Sequence, residues 1–229
     1  GMMVTLREAK KRNLSIEDVD GLTGSLIGHP KSATFRTADV VGLDTLAFVA
    51  KNAFDKCVDD TEREIFDIPD YLKTILDNGW LGQKSGQGFY KKISKGKIHS
   101  LDLNTLEYSP QEKKRFTGVR LARQNINLKK KIKTLTWSKD IAGEFTWEVF
   151  SKTLIYSANQ NGVISNDLVN IDRAMRWGFG WDLGPFEIWD AIGLAASIER
   201  MKSEGRSIPD WIERMLKNGH TSFYRYSNG

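Results

Sequence analysis

Proton transfer and nucleophilic attack at neutral pH fall mainly to histidine, cysteine and paired carboxylates, and this chain offers few of them in useful patterns. Its three histidines (His29, His99, His220) and single cysteine (Cys57) are scattered over 229 residues. None has the spacing of a metal site, so no metal is expected, and one cysteine excludes an internal disulfide. No Ser-His-Asp or Cys-His set can be assembled. Asp39 and Asp190 could be imagined as an acid/base pair. Each recurs at a matched place in a repeat, however, which favours hydrogen bonding within its own unit, capping a helix or holding a loop. His29, beside Pro30, reads as a loop residue.

Two glycine-rich stretches mimic nucleotide-binding motifs. Gly178-Phe179-Gly180-Trp181-Asp182-Leu183-Gly184 has its third glycine one residue late. It also follows the helical pattern Ala174-Met175-Arg176-Trp177, where a dinucleotide fingerprint needs a strand. Gly82-Gln83-Lys84-Ser85-Gly86-Gln87-Gly88 places its Lys-Ser pair ahead of the glycine a phosphate loop would need before it. Both read as turns, the first between helices and the second into a hairpin.

The elements that carry these residues are duplicated. Val19-Asp20, Phe35, Asp39 and Val41-Gly42-Leu43 are matched by Ile171-Asp172, Phe186, Asp190 and Ile192-Gly193-Leu194. Ile68-Pro69-Asp70-Tyr71-Leu72 through Asn78-Gly79 is matched by Ile208-Pro209-Asp210-Trp211-Ile212 through Asn218-Gly219, with Phe89-Tyr90 and Phe223-Tyr224 following in turn. The blocks have helical periodicity: Leu72, Ile75 and Leu76 in one copy, Ile212, Met215 and Leu216 in the other. Pro69 falls in a first turn and Asn78-Gly79 provides a stop. Ser15 and Asp18 suit a capping box for a short helix ending near Gly24, and its counterpart, with Leu168, Ile171 and Met175, should end near Gly178. Trp147, Phe150, Leu154 and Ala158 line a longer helix ending at Asn161-Gly162. The first copy has only residues 2–12 in that place. Residues 88–101 read as a hairpin, and residues 111–133 as one basic helix.

Composition narrows the classes further. Hydrophobic residues at 40% and charged residues at 28% exclude disorder. The longest stretch without charge, Thr153 to Asn166, is too short for a membrane span. The amino terminus lacks a secretory signal, so a cytoplasmic protein is expected. The net charge of +5 concentrates in residues 113–133, without the pattern of any nucleic-acid module. A solvated helix face and no nucleic-acid partner are therefore expected there.

Residues 28–44, from Gly28-His29-Pro30-Lys31-Ser32-Ala33 to Asp44, and residues 172–194, with Gly184-Pro185-Phe186-Glu187, resemble the carboxy-terminal domain of 3-hydroxyacyl-CoA dehydrogenases. Lys84-Ser85-Gly86-Gln87-Gly88-Phe89-Tyr90 resembles that domain's ending. The resemblance implies a mainly α fold: two tandem copies of a helical domain of the 6-phosphogluconate-dehydrogenase C-terminal-like kind, a small β-hairpin between them and no Rossmann domain. The boundaries implied are residues 2–90 for a shortened first copy, 91–140 for the hairpin and basic linker, and 141–229 for the second copy. It further implies that NAD and a catalytic His-Glu pair belong to an upstream Rossmann domain, and that the substrate is a 3-hydroxyacyl-CoA of fatty-acid β-oxidation. A thiolase is an implied partner. By residue matching, Pro30, Lys31, Ser32 and Ala33 are the substrate-facing positions, with Lys31 available to a CoA phosphate. The family's helical-domain Asn-Arg pair has no match in the first copy and is replaced by Trp147-Glu148 in the second, so the second copy is expected to be non-catalytic. Taken alone, the 229 residues should not turn over substrate. The competing class is a non-enzymatic interaction or assembly module.

Overall fold

The computed structural model describes residues 1–60 and 62–225, and the backbone separates into two compact units. The first comprises Gly1–Ser25 with Lys31–Arg115, the second Leu26–Pro30 with Phe116–Gly229. Residues 91–140, read from sequence as a separate hairpin and linker, are thus divided: the strands lie in the first unit and the basic helices in the second. The last four positions of the expected second copy lie outside the described residues.

In the first unit, α1 (Met2–Lys11) and α2 (Ile16–Thr23) bury Leu6, Ile16, Val19 and Leu22. The Ser15 hydroxyl accepts the Asp18 N–H at 3.3 Å and Gly24 ends the helix, but the expected capping box is only half closed, since the Asp18 carboxylate accepts the Lys114 N–H at 2.8 Å. α3 (Phe35–Val41) and α4 (Leu43–Lys56) meet at Gly42. Its φ of 103° is a conformation that a side chain would strain. α5 (Asp70–Asp77) starts one residue after Pro69, which caps rather than enters the helix, and Tyr71 Oη donates to the Leu6 carbonyl at 3.1 Å.

β1 (Tyr90–Ser94) and β2 (Lys97–Leu101) form the expected hairpin, with Tyr90 opposite Ser100. A third antiparallel strand, β3 (Tyr108–Pro110), extends it, so the hairpin expectation is corrected to a three-stranded sheet in the order β1-β2-β3. The missed strand is three residues long, too short for an alternation to show. Its turn is made by the Asp102 carboxylate, which accepts the Asn104 and Thr105 N–H groups at 2.7 and 2.9 Å.

The second unit contains α6 (Thr117–Arg123), α7 (Leu128–Thr136), α8 (Ile141–Asn159), α9 (Leu168–Phe179), α10 (Pro185–Ile192), α11 (Leu194–Ser203) and α12 (Asp210–Lys217). The single basic helix expected over 111–133 is instead two. Asn127 caps α7 by accepting the Lys130 N–H at 3.2 Å, while Asn125 Nδ2 donates to the Leu121 carbonyl of α6, also at 3.2 Å. Two asparagines in a row of otherwise good helix formers break it by offering the backbone local partners. α9 runs past Gly178 and stops at Gly180, whose left-handed conformation ends it. Gly193, φ 106°, joins α10 to α11 as Gly42 joins α3 to α4. Phe145, Trp147, Phe186, Trp189, Met201 and Ile212 form the core of this unit. Among the described residues no helix is long and apolar enough to cross a membrane.

Candidate functional site

Two aspartates in each unit hold the same elements in the same way. In the first, Asp20 of α2 accepts the N–H groups of Thr34, Phe35 and Arg36 at 3.1, 2.7 and 3.0 Å, capping the start of α3, and the Tyr90 hydroxyl at 2.8 Å. Asp39, in the last turn of α3, accepts the Phe89 and Tyr90 N–H groups, each at 2.8 Å. The Phe-Tyr dipeptide is thereby clamped from two sides, with the Phe35 and Phe89 rings edge to face at 4.6 Å. In the second unit Asp172 accepts the Phe186 and Glu187 N–H groups at 2.8 and 3.2 Å and the Tyr224 hydroxyl at 2.7 Å. Asp190 accepts the Phe223 and Tyr224 N–H groups at 2.8 and 3.0 Å, and Phe186 meets Phe223 edge to face at 5.0 Å.

All four carboxylates are occupied by the fold, so Asp39 and Asp190 act within their own units and are not an acid/base pair. Burial outweighs the amide donors and raises the carboxyls of Asp39 and Asp172 to about 6. Asp20 and Asp190 are raised for the same reason, and burial together with the neighbouring aspartates pushes the Tyr90 and Tyr224 hydroxyls up. Asp20 and Asp172 were visible in the repeat, but their partnership with the tyrosines some fifty to seventy positions later carries no local signal.

The matched positions Pro30 to Ala33 form the turn that leads into α3. Pro30 packs in the second unit, where its ring approaches Gly180. Beside it the His29 ring stacks on Trp181 with centroids 3.9 Å apart, and the Gly28 carbonyl accepts the Asp182 N–H at 2.7 Å. His29 is therefore a packed loop residue. Lys31, Ser32 and Ala33 belong to the first unit; Lys31 is exposed, and Ser32 and Ala33 are half-buried. Ala33 has φ 54°, uncommon for a residue with a Cβ. It is held there because Asp20 pins the next three amides and the Thr37 hydroxyl lies 2.6 Å from the Ala33 carbonyl. With its one proton on that bond, Thr37 Oγ1 accepts from Ser32 Oγ at 2.8 Å.

Trp147 and Glu148 on α8 are consumed by packing. Trp147 Nε1 donates to Glu204 at 2.8 Å, and Glu148 pairs with Lys152 and Arg206 at 2.9 and 2.6 Å. The glycine segments do not fit NAD. Gly178–Gly184 spans the last two residues of α9 and the turn into α10 with no strand before it, and Gly184 packs against the Asp172 carboxylate, where a pyrophosphate would have to approach. Gly82–Gly88 bends the chain into β1, and a side chain at Gly88 would collide with Asp39.

Fold and site together define an α-helical domain stabilised by aspartate clamps, with no nucleotide-binding strand-helix unit among the described residues. Residues 2–92 match the profile of the 3-hydroxyacyl-CoA dehydrogenase C-terminal domain. Over those residues the chain is similar to 3-hydroxyacyl-CoA dehydrogenases. Over all 229 residues it is 49% identical to a probable 3-hydroxyacyl-CoA dehydrogenase of Bacillus subtilis, of which it covers 29%. Over 92 residues, 40% of the chain, it is 41% identical to a probable 3-hydroxyacyl-CoA dehydrogenase of Deinococcus radiodurans, covering 26% of it. Over 189 residues, 81% of the chain, it is 23% identical to a Rickettsia prowazekii protein whose name gives it as a fatty acid oxidation complex trifunctional enzyme, covering 25% of it. The chain thus spans between a quarter and three-tenths of the length of these relatives.

Proposed function

We propose that these residues are the carboxy-terminal, substrate-handling part of an NAD-dependent 3-hydroxyacyl-CoA dehydrogenase of fatty-acid oxidation. The full enzyme oxidises a 3-hydroxyacyl-CoA to the 3-oxoacyl-CoA and passes it to a thiolase in the cytoplasm. The observation that carries this reading is the 49% identity over the whole chain to a relative more than three times as long. NAD and the catalytic pair then belong to the part of the protein outside these residues, consistent with glycine segments that serve only as turns. The twin clamps support two copies of one helical domain, 2–90 and 141–229. The turn at Pro30, Lys31, Ser32 and Ala33 faces substrate in the first copy, a role supported by the fixed left-handed Ala33 and the exposed ammonium beside it.

The test is NADH formation from 3-hydroxybutyryl-CoA. The full-length enzyme turns over and the 229-residue chain alone does not. In the full-length enzyme Lys31→Ala raises KM about fivefold with kcat kept, the worth of one exposed ion pair of about 1 kcal/mol. Turnover by the chain alone would show that the active site has been misplaced, and an unchanged KM would remove Lys31 from the substrate site.

A further inference from the structure

From Lys113 to Lys139 the sequence holds ten lysines and arginines and no acidic residue, which leaves a net charge of −5 for the remaining 202 positions. In the second unit the centre of this run is the helical hairpin of α6 and α7. Arg120 and Arg123, three apart on α6, and Lys130 and Lys133, three apart on α7, are all exposed. Among the described residues none of the four makes an ion pair. Two acids close to the hairpin are engaged elsewhere: Asp140 caps α8 and accepts the Gly118 N–H at 2.8 Å, and Asp190, which faces Lys129, clamps Phe223 and Tyr224. At the tip of the hairpin, between the two helices, Ile126 is 98% exposed, and Leu121 on α6 is 37% exposed. The tip residue has no structural work to do, since Ile132, Leu135 and Ala122 supply the buried face.

We propose that the α6–α7 hairpin docks this protein onto an anionic lipid surface, with the cationic side chains on the headgroups and Ile126 inserted between them. Charge complementarity alone would admit any polyanion; the protruding isoleucine separates them. A branched aliphatic side chain gains nothing on a phosphate backbone in water, whereas at a bilayer interface its transfer is favourable. Single-stranded nucleic acid is held largely by stacking on aromatic rings, and residues 117–136 contain none. The flanking aromatics are occupied as well: Phe116 is half-buried and Trp137 Nε1 donates to the Ile192 carbonyl at 3.1 Å. Contact through one short hairpin makes the attachment peripheral and reversible. Each basic side chain near an anionic surface contributes about a fivefold gain in partition.

The experiment is flotation of the 229-residue chain with vesicles of phosphatidylcholine and phosphatidylglycerol at 2:1, against vesicles of phosphatidylcholine alone. At about 0.1 M salt the chain floats with the anionic vesicles only, and at about 1 M salt, where the screening length falls from ~10 to ~3 Å, it is released. Arg120→Gln with Arg123→Gln weakens partition roughly 25-fold. Ile126→Ser weakens it about fivefold with the circular dichroism and urea midpoint unchanged, because the residue is fully exposed. Failure to float on anionic vesicles at low salt overturns the proposal, as does partition insensitive to Ile126→Ser. So does displacement from the vesicles by a 20-nucleotide RNA or DNA that binds equally well to the Ile126→Ser chain, which would make the hairpin a nucleic-acid site.

Discussion

Tyr90→Phe removes one oxygen and tests the clamp directly. The Tyr90 hydroxyl donates to Asp20 at 2.8 Å in a largely buried setting, and Asp20 keeps its three amide donors when the hydroxyl is gone. A hydrogen bond to a charged acceptor is worth about 1.5–3 kcal/mol net. Part of that returns, because phenylalanine buries no hydroxyl. The expected loss of stability is about 2 kcal/mol at pH 8, read from urea unfolding followed by far-ultraviolet circular dichroism. The magnitude depends on pH in a defined sense. The hydroxyl helps hold the Asp20 carboxyl down against the burial that raises it, so its removal raises that carboxyl further. As pH falls and Asp20 takes up a proton, the bond becomes one between neutral groups, worth about 1 kcal/mol. The difference between the two proteins therefore shrinks toward pH 5. Tyr224→Phe performs the same operation on Asp172 in the second unit at 2.7 Å, and its cost has the same sign and pH trend. A loss below about 0.5 kcal/mol for Tyr90→Phe, or a difference that grows as pH falls, would refute the reading of the tyrosine as a donor to a buried carboxylate.

Stability as a function of pH follows from the same groups. The Asp39 carboxyl, raised by burial to about 6, binds its proton more tightly in the folded state. Its contribution is full below about pH 4 and is lost as pH rises to about 6, roughly 3 kcal/mol for a rise of about two units. Asp172 acts in the same direction, while the ion-paired Glu148 and Glu204, held low, lose their contribution as pH falls below about 4.5. A stability maximum between about pH 4 and 4.5 is expected in a urea series, with Asp39→Asn flattening the decline above it; a steady rise from pH 5 to 7.5 would contradict this. Gly193→Ala places a Cβ on a backbone at φ 106° in otherwise open space, so its cost is conformational, about 1–3 kcal/mol. Gly42→Ala, φ 103° but crowded by Asp44 and Lys84, costs at least as much. Thermal melts of the two variants check the order.

Much of this protein is written locally. The three- and four-residue spacing around Leu72 and Ile212, the Ser15 cap and the Asn78-Gly79 stop specify helices with little help from the rest of the chain, because capping and periodicity act within a turn or two. The repeat places Asp39 and Asp190 in their own units, and the helical pattern ahead of Gly178 is by itself at odds with a nucleotide-binding turn. The break between α6 and α7 could have been read from Asn125 and Asn127, but high helix propensity on either side masks it. Tertiary structure alone decided which distant groups share a carboxylate. That Asp20 meets Tyr90, seventy residues on, and that Asp172 meets Tyr224, depends on chain paths whose closure leaves no mark on neighbouring residues. The same holds for β3, which exists because β2 offers it an edge, and for His29, whose stacking partner Trp181 lies 152 positions away. Local free energies are legible one turn at a time; burial and long-range pairing take their value only once the whole chain has been brought together.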